Sequence, residues 1–153
     1  MEKIASFTVD HTNLEPGLYI SRVDGDITTY DLRFKAPNKD ELLENAAIHT
    51  IEHLAATYLR NTKYMDKIIY FGPMGCRTGF YFLLRDGNYG NHCNDYIKSL
   101  LIDTFAFIKD YEGEIPGVSA KECGNYKEHD LIKAKSEAKE YHAVLKNINS
   151  LEY

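Results

Sequence analysis

The sequence predicts an α+β fold, a mainly antiparallel sheet packed against helices as a two-layer α/β sandwich. Three observations lead there. The chain has 153 residues, the size of one domain and short for two, so residues 1–153 are expected to form a single compact unit. A 44% hydrophobic share suffices for one core, and neither an internal repeat nor a Gly/Ser/Pro-rich linker divides the chain. The local patterns run hairpin, helix, hairpin, two helices, unlike the strict alternation that builds a parallel sheet.

The first hairpin is carried by Gly17 to Val23 and Ile27 to Lys35, both rich in Ile, Val, Thr and Tyr, joined by the turn-forming Asp24-Gly25-Asp26. The two-residue period of its second strand puts Thr29, Asp31 and Arg33 on a polar face and Tyr30, Leu32 and Phe34 on an apolar one. Pro37-Asn38 stops that strand. Asn38 with Glu41 resembles an N-cap with its reciprocal partner, which starts a helix running to about Arg60. Leu42, Leu43, Ala46, Ala47, Ile51, Leu54 and Ala55 form its buried stripe. Lys67 to Phe71 and Thr78 to Leu84 are the second strand pair, flanking a Gly-bounded bend around Cys76 and closed by a turn at Arg85-Asp86-Gly87-Asn88. Ile97, Leu100, Leu101, Thr104 and Ile108 recur at helical spacing, with Glu112-Gly113 ending that helix before an extended Ile115-Pro-Gly-Val118 piece. The last helix starts with Asp130 as N-cap and runs to about Leu145.

Charge narrows the function. Lys and Arg number 18 against 23 Asp and Glu, a net of −5 that repels polyphosphates, so nucleic acid is not an expected partner. No apolar run reaches the roughly 20 residues of a bilayer span, and Met1 to Ser6 lacks a signal-peptide core, so no membrane association and a cytoplasmic location are expected. Cys76, Cys93 and Cys123 are odd in number and form no Cys-x-x-Cys pair, as for individual thiols in a reducing compartment.

The chemistry concentrates in His49-Thr-Ile-Glu52-His53. Residues four apart on a helix lie within about 40° of each other, so both imidazoles face one spot and can grip one metal ion. Glu52, about 60° round from His49, flanks that spot as a general base would. The His-x-x-Glu-His order is that of inverted zincins. Partly buried histidines satisfied by carbonyls are the plainer alternative. Two histidines leave a tetrahedral site half built, and Cys123 beside Gly124 is a candidate third ligand, leaving one position open. Cys76, between Gly75 and Arg77, has a cationic bend around it that favours thiolate, the form needed for proton transfer. Cys93 receives no role, and His92, His129 and His142 are expected on the surface. A nucleophile elbow and a dinucleotide-binding glycine loop are both missing from the sequence, so no nucleotide cofactor is expected.

Five segments, Ser6-Phe with Asp10-His11, Asp31-Leu-Arg33-Phe34, His49-Thr-Ile-Glu-His-Leu54, Gly72-Pro-Met-Gly-Cys76-Arg-Thr-Gly-Phe80 and Glu122-Cys-Gly-Asn-Tyr126, occur in an order that resembles the S-ribosylhomocysteine lyase (LuxS) family. At Gly72 the family pattern would have a small hydroxyl residue. The resemblance implies cleavage of S-ribosylhomocysteine to homocysteine and 4,5-dihydroxy-2,3-pentanedione, the precursor of autoinducer-2. It also implies His49, His53 and Cys123 as ligands of one divalent metal per subunit, ferrous iron natively with zinc or cobalt as substitutes. Glu52 and Cys76 become the acid/base pair, and Ser6, His11 and Arg33 substrate contacts. A bacterial homodimer with sites at the subunit interface is implied too. Two other classes stay open: an inverted-zincin peptidase with Glu122 or Glu128 as third ligand, and a non-enzymatic metal-binding module.

Overall fold

The structure, a computed structural model, describes residues 2–85 and 94–153. Cys93, His92 and the turn expected at Asp86 to Asn88 lie outside the described residues. Strands β1 (Gly17–Asp24) and β2 (Ile27–Arg33) form the first hairpin around Gly25, whose φ of 62° is the left-handed geometry glycine adopts without a Cβ clash. Strands β3 (Ile68–Pro73) and β4 (Gly79–Arg85) form the second. All pairings are antiparallel in the spatial order β1-β2-β4-β3. Where Arg33 pairs with Gly79, a Cβ on the glycine would collide with the carbonyl oxygen of Leu32, so the absence of a side chain lets β4 close on β2. At Gly72 the space of a side chain is taken by the Tyr70 ring.

Helices α1 (Asn45–Leu59), α2 (Asn94–Lys109) and α3 (Leu131–Asn147) join the sheet in one core. Tyr30, Leu32, Phe80, Phe82 and Leu84 meet Ile51 and Leu54 of α1, Leu101 and Phe105 of α2, and Ala134, Ala138 and Tyr141 of α3. Burial of each large apolar side chain contributes about 1.5–3 kcal/mol. Phe34 stacks on Tyr141 with ring centroids 4.0 Å apart, and the Tyr141 hydroxyl donates to the Gly17 carbonyl at 2.9 Å, fastening α3 to the start of β1. No helix among the described residues is long and apolar enough to cross a membrane.

The element order, the strand pairs and the Asp130 cap follow the sequence expectation; the Asp130 side chain accepts from the Lys133 N–H at 2.9 Å. Three local expectations are corrected. Helix α1 starts at Asn45 rather than after Asn38. Asn38 has φ 62°, the N–H groups of Lys39 and Asp40 donate to the Ala36 carbonyl, and the Asp40 carboxylate accepts from the Ala36 N–H at 2.6 Å. The polar side chains there close a turn instead of capping a helix. Leu42 is consequently exposed, while Leu43 reaches the core from the loop, its N–H bonded to the Arg77 carbonyl. Helix α2 stops at Lys109, and the expected extended piece contains a turn at Pro116 and Gly117, where Gly117 has φ 74°.

Two residues of the polar face of β2 are buried. Asp31 and Arg33 are 1% and 3% exposed. The chain end covers them: the Ile20 N–H donates to the Leu151 carbonyl, the Tyr153 ring stacks on Tyr19 at 4.8 Å, and the Tyr153 hydroxyl donates to Asp31 at 2.8 Å.

Candidate metal centre

Helix α1 places His49 and His53 one turn apart, and the long segment between α2 and α3 wraps over them. His49 Nδ1 bonds the Glu128 carbonyl at 2.9 Å and His53 Nδ1 the Pro116 carbonyl at 2.7 Å. A carbonyl only accepts, so both rings carry their proton on Nδ1 and turn the Nε2 lone pair inward, the arrangement that orients histidine ligands. Cys123 Sγ lies 3.3 Å from His49 Nε2 and also accepts from the Asn125 N–H at 3.4 Å. The potential ligand atoms of His49, His53, Cys123 and His129 all fall within 4.8 Å of one another. Imidazole nitrogens and a thiolate are the donor set that zinc and ferrous iron take, so the residues fit a divalent transition metal. Gly117 belongs to this arrangement, since a Cβ there would stand 3.3 Å from His53 Nδ1 and crowd the ring.

A second constellation lies on the bend between β3 and β4. Arg33 donates through Nη1 to the Thr78 hydroxyl at 2.6 Å and through Nη2 to Asp31 at 2.5 Å. The Thr78 hydroxyl, accepting from Arg33, has its proton free for Cys76 Sγ, 3.1 Å away. Burial raises the Cys76 thiol, but the Thr78 hydroxyl and N–H together with the Arg33 charge outweigh it and hold the thiol below its ordinary value. Arg77 at φ 58° and the bond from its N–H to the Met74 carbonyl shape the bend that leaves Cys76 exposed. Glu52, half-buried on α1 beside His53, makes no hydrogen bond or ion pair among the described residues.

Residues 4–151 match the family pattern of S-ribosylhomocysteinase (LuxS). The chain belongs to the LuxS family. Relatives named S-ribosylhomocysteine lyase include those of Borreliella afzelii, 52% identical over 97% of this chain and 95% of the relative, Clostridium acetobutylicum, 49% over 97% and 95%, and Desulfotalea psychrophila, 53% over 97% and 94%.

Within this LuxS-family fold, the sequence-predicted residues fall into separate groups. His49, His53 and Cys123 come together, and Arg33 joins Cys76 through Thr78. Ser6 lines a cavity of about 350 Å³ on the open face of the sheet with Arg22, Thr29, Tyr70 and Tyr81. His11 is held in the preceding turn by the Val9 carbonyl at 2.9 Å. No hydrogen bond links Ser6 or His11 to the His/Cys cluster among the described residues. The peptidase alternative is not favoured, because Cys123 rather than a carboxylate joins the histidines. The Glu122 carboxylate accepts from Ser119, and that of Glu128 from Asn125.

His129, expected on the surface, is instead packed in the cluster. Its ring stacks on His49 at 4.1 Å and meets His53 edge-on at 4.9 Å. Burial, with the neighbouring His49 and His53, lowers its pKa to about 4, so the ring is neutral at neutral pH. The one sequence signal for it is its position beside the Asp130 cap. That signal has no content until α3 is known to pack on α1, through the Asp130 N–H to Thr50 Oγ1 at 3.0 Å.

Proposed function

We propose that this LuxS-family chain cleaves S-ribosylhomocysteine to homocysteine and 4,5-dihydroxy-2,3-pentanedione, the autoinducer-2 precursor, in a bacterial cytoplasm. The observation that carries this is the convergence of His49, His53 and Cys123, reached independently of the match to relatives named for that reaction. These three residues would hold one divalent ion, ferrous iron in the cell with zinc or cobalt able to replace it. When bound, the ion supplies a Lewis acid for the oxygens of the ribose portion. Glu52 and Cys76 move the protons: one group removes a proton from carbon beside the carbonyl and the pair returns it to the neighbouring carbon, so the carbonyl migrates along the ribose. A final proton removal expels homocysteine thiolate from the carbon β to the carbonyl. Arg33 fixes the substrate and, with Thr78, favours the thiolate form of Cys76; Ser6 and His11 contact substrate in an adjacent site of a homodimer. The dimer reading is supported by the exposed Ile4, Phe7, Ile69 and Tyr70.

Anaerobically purified protein is expected to release free thiol from S-ribosylhomocysteine, in proportion to bound metal measured on the same samples. Metal-loaded protein that releases none would overturn the proposal.

The Cys76 environment sets a pH dependence. As a base the thiolate is lost when pH falls through its pKa, so a lowered pKa extends activity toward acid. Thr78→Val removes the hydroxyl that bonds both Cys76 and Arg33 and should raise that pKa. The acidic limb of the kcat/KM profile should therefore move to higher pH, with variant and wild-type rates drawing together at alkaline pH. A limb that stays in place or moves toward acid contradicts this role of Thr78.

A further inference from the structure

We infer that Tyr153 is a positioning residue for Cys76: the segment after α3 sets its hydroxyl on the Asp31 carboxylate, which orients Arg33, which in turn holds Thr78 against the thiol. This deepens the proton-transfer role proposed above for Cys76 and rests on it for its catalytic meaning. Every link is a direct contact. The Tyr153 hydroxyl donates to Asp31 Oδ2 at 2.8 Å, and Arg33 Nη2 donates to the same oxygen at 2.5 Å. Arg33 Nη1 donates to the Thr78 hydroxyl at 2.6 Å, and that hydroxyl lies 3.1 Å from Cys76 Sγ. The segment also builds the seat of its own tyrosine. The Ile20 N–H donates to the Leu151 carbonyl at 2.7 Å, Lys98 Nζ donates to that of Ile148 at 2.8 Å, and the Leu151 side chain is buried. The Tyr153 ring lies on Tyr19 with only 8° between the planes.

The Asp31–Arg33 pair needs this third member. Asp31 Oδ2 takes both donors, while Asp31 Oδ1 and Arg33 Nε are buried without a hydrogen-bond partner among the described residues. A carboxylate held through one oxygen by one donor can turn about its Cβ–Cγ bond, and a second donor on that oxygen resists the turn. Without the hydroxyl, Asp31 swings Oδ1 onto the guanidinium fork as a bidentate partner, or water enters and screens the pair. Either change weakens the positive potential that Arg33 places at Cys76. The other ionisable groups that act on this pair from the packed elements are Tyr19 on β1, Tyr81 on β4 and Tyr141 on α3. Burial raises all three phenols, as it does Tyr153, so they stay neutral at neutral pH and Tyr153 keeps the proton it donates. Arg33 is therefore the cation that acts on Cys76 among the described residues, and its orientation decides how strongly.

The test follows Cys76 in the metal-loaded full chain without substrate. Its rate of alkylation by iodoacetamide is measured against pH, read on the Cys76 peptide by mass spectrometry, because the thiolate is the reacting form. Tyr153→Phe removes the hydroxyl and keeps the ring for the stack on Tyr19. It should raise the apparent pKa of Cys76 by about half a unit or more, which slows alkylation about threefold at pH below both titrations and leaves the rates equal at alkaline pH. The acidic limb of kcat/KM for thiol release should move to higher pH by the same amount. A tyrosine that only fastens the chain end would lower the urea midpoint and leave the Cys76 titration in place. That result, or a titration moved toward acid, overturns the inference. Alkylation needs no turnover, so the two proposals fail separately. Wild-type thiol release with an unmoved Cys76 titration in Tyr153→Phe removes only the positioning role. A moved titration without wild-type thiol release removes only the lyase reading.

Discussion

Glu52→Gln should lower thiol release from S-ribosylhomocysteine by about 10²–10⁴-fold, the range that a positioned proton-transfer group contributes. The amide has the same shape but cannot take a proton from carbon. The side chain makes no hydrogen bond or ion pair among the described residues, so its neutralisation strands no buried partner, and helix α1 should keep its stability. Metal content should also be unchanged, since Glu52 is not in the His/Cys cluster. Steady-state assays with metal analysis and circular dichroism on the same preparation check all three points. Turnover within tenfold of wild type would remove Glu52 from the proton-transfer role, and lost metal would mean that it is a ligand instead.

Asp31→Ala should destabilise the protein by about 3–5 kcal/mol, the cost of leaving a buried charge without its partner. Arg33 would keep Thr78 but lose the carboxylate 2.5 Å from Nη2, and the Tyr153 hydroxyl would lose its acceptor. Two charges this deeply buried gain little net stability from one another, because desolvation offsets most of their attraction; the penalty comes from breaking the pair. Asp31→Ala combined with Arg33→Met should therefore recover most of the loss. Urea unfolding at one fixed protein concentration measures it as a fall in midpoint. A loss below about 1 kcal/mol for the single variant would mean that water reaches Arg33.

Much of the candidate site was legible because it depends on short-range periodicity. His49 and His53 share a helix face wherever that helix begins, so the misplaced start at Asn38 did no harm to the metal reading. Cys76 was legible from its glycine and arginine neighbours, although the arginine that acts on it is Arg33 on β2, with no resolved contribution from adjacent Arg77. What the pattern missed involves polar side chains with two possible partners. Asp40 had to choose between helix N–H groups and the Ala36 N–H, and Asp31 and Arg33 between solvent and a cover supplied by Tyr153.

The sequence by itself determined the α+β order, the two hairpins, the Asp130 cap, the family and the pair of imidazoles on α1, since each is set by residues a few positions apart. Only the tertiary structure decided that the segment between α2 and α3 supplies the carbonyls of Pro116 and Glu128 to orient those imidazoles. It also decided that His129 packs against them and that the chain end seals Asp31 and Arg33 from water. Those contacts join residues 63 to 122 positions apart. Their formation depends on which surfaces the shared core brings face to face, and local propensity carries no record of that.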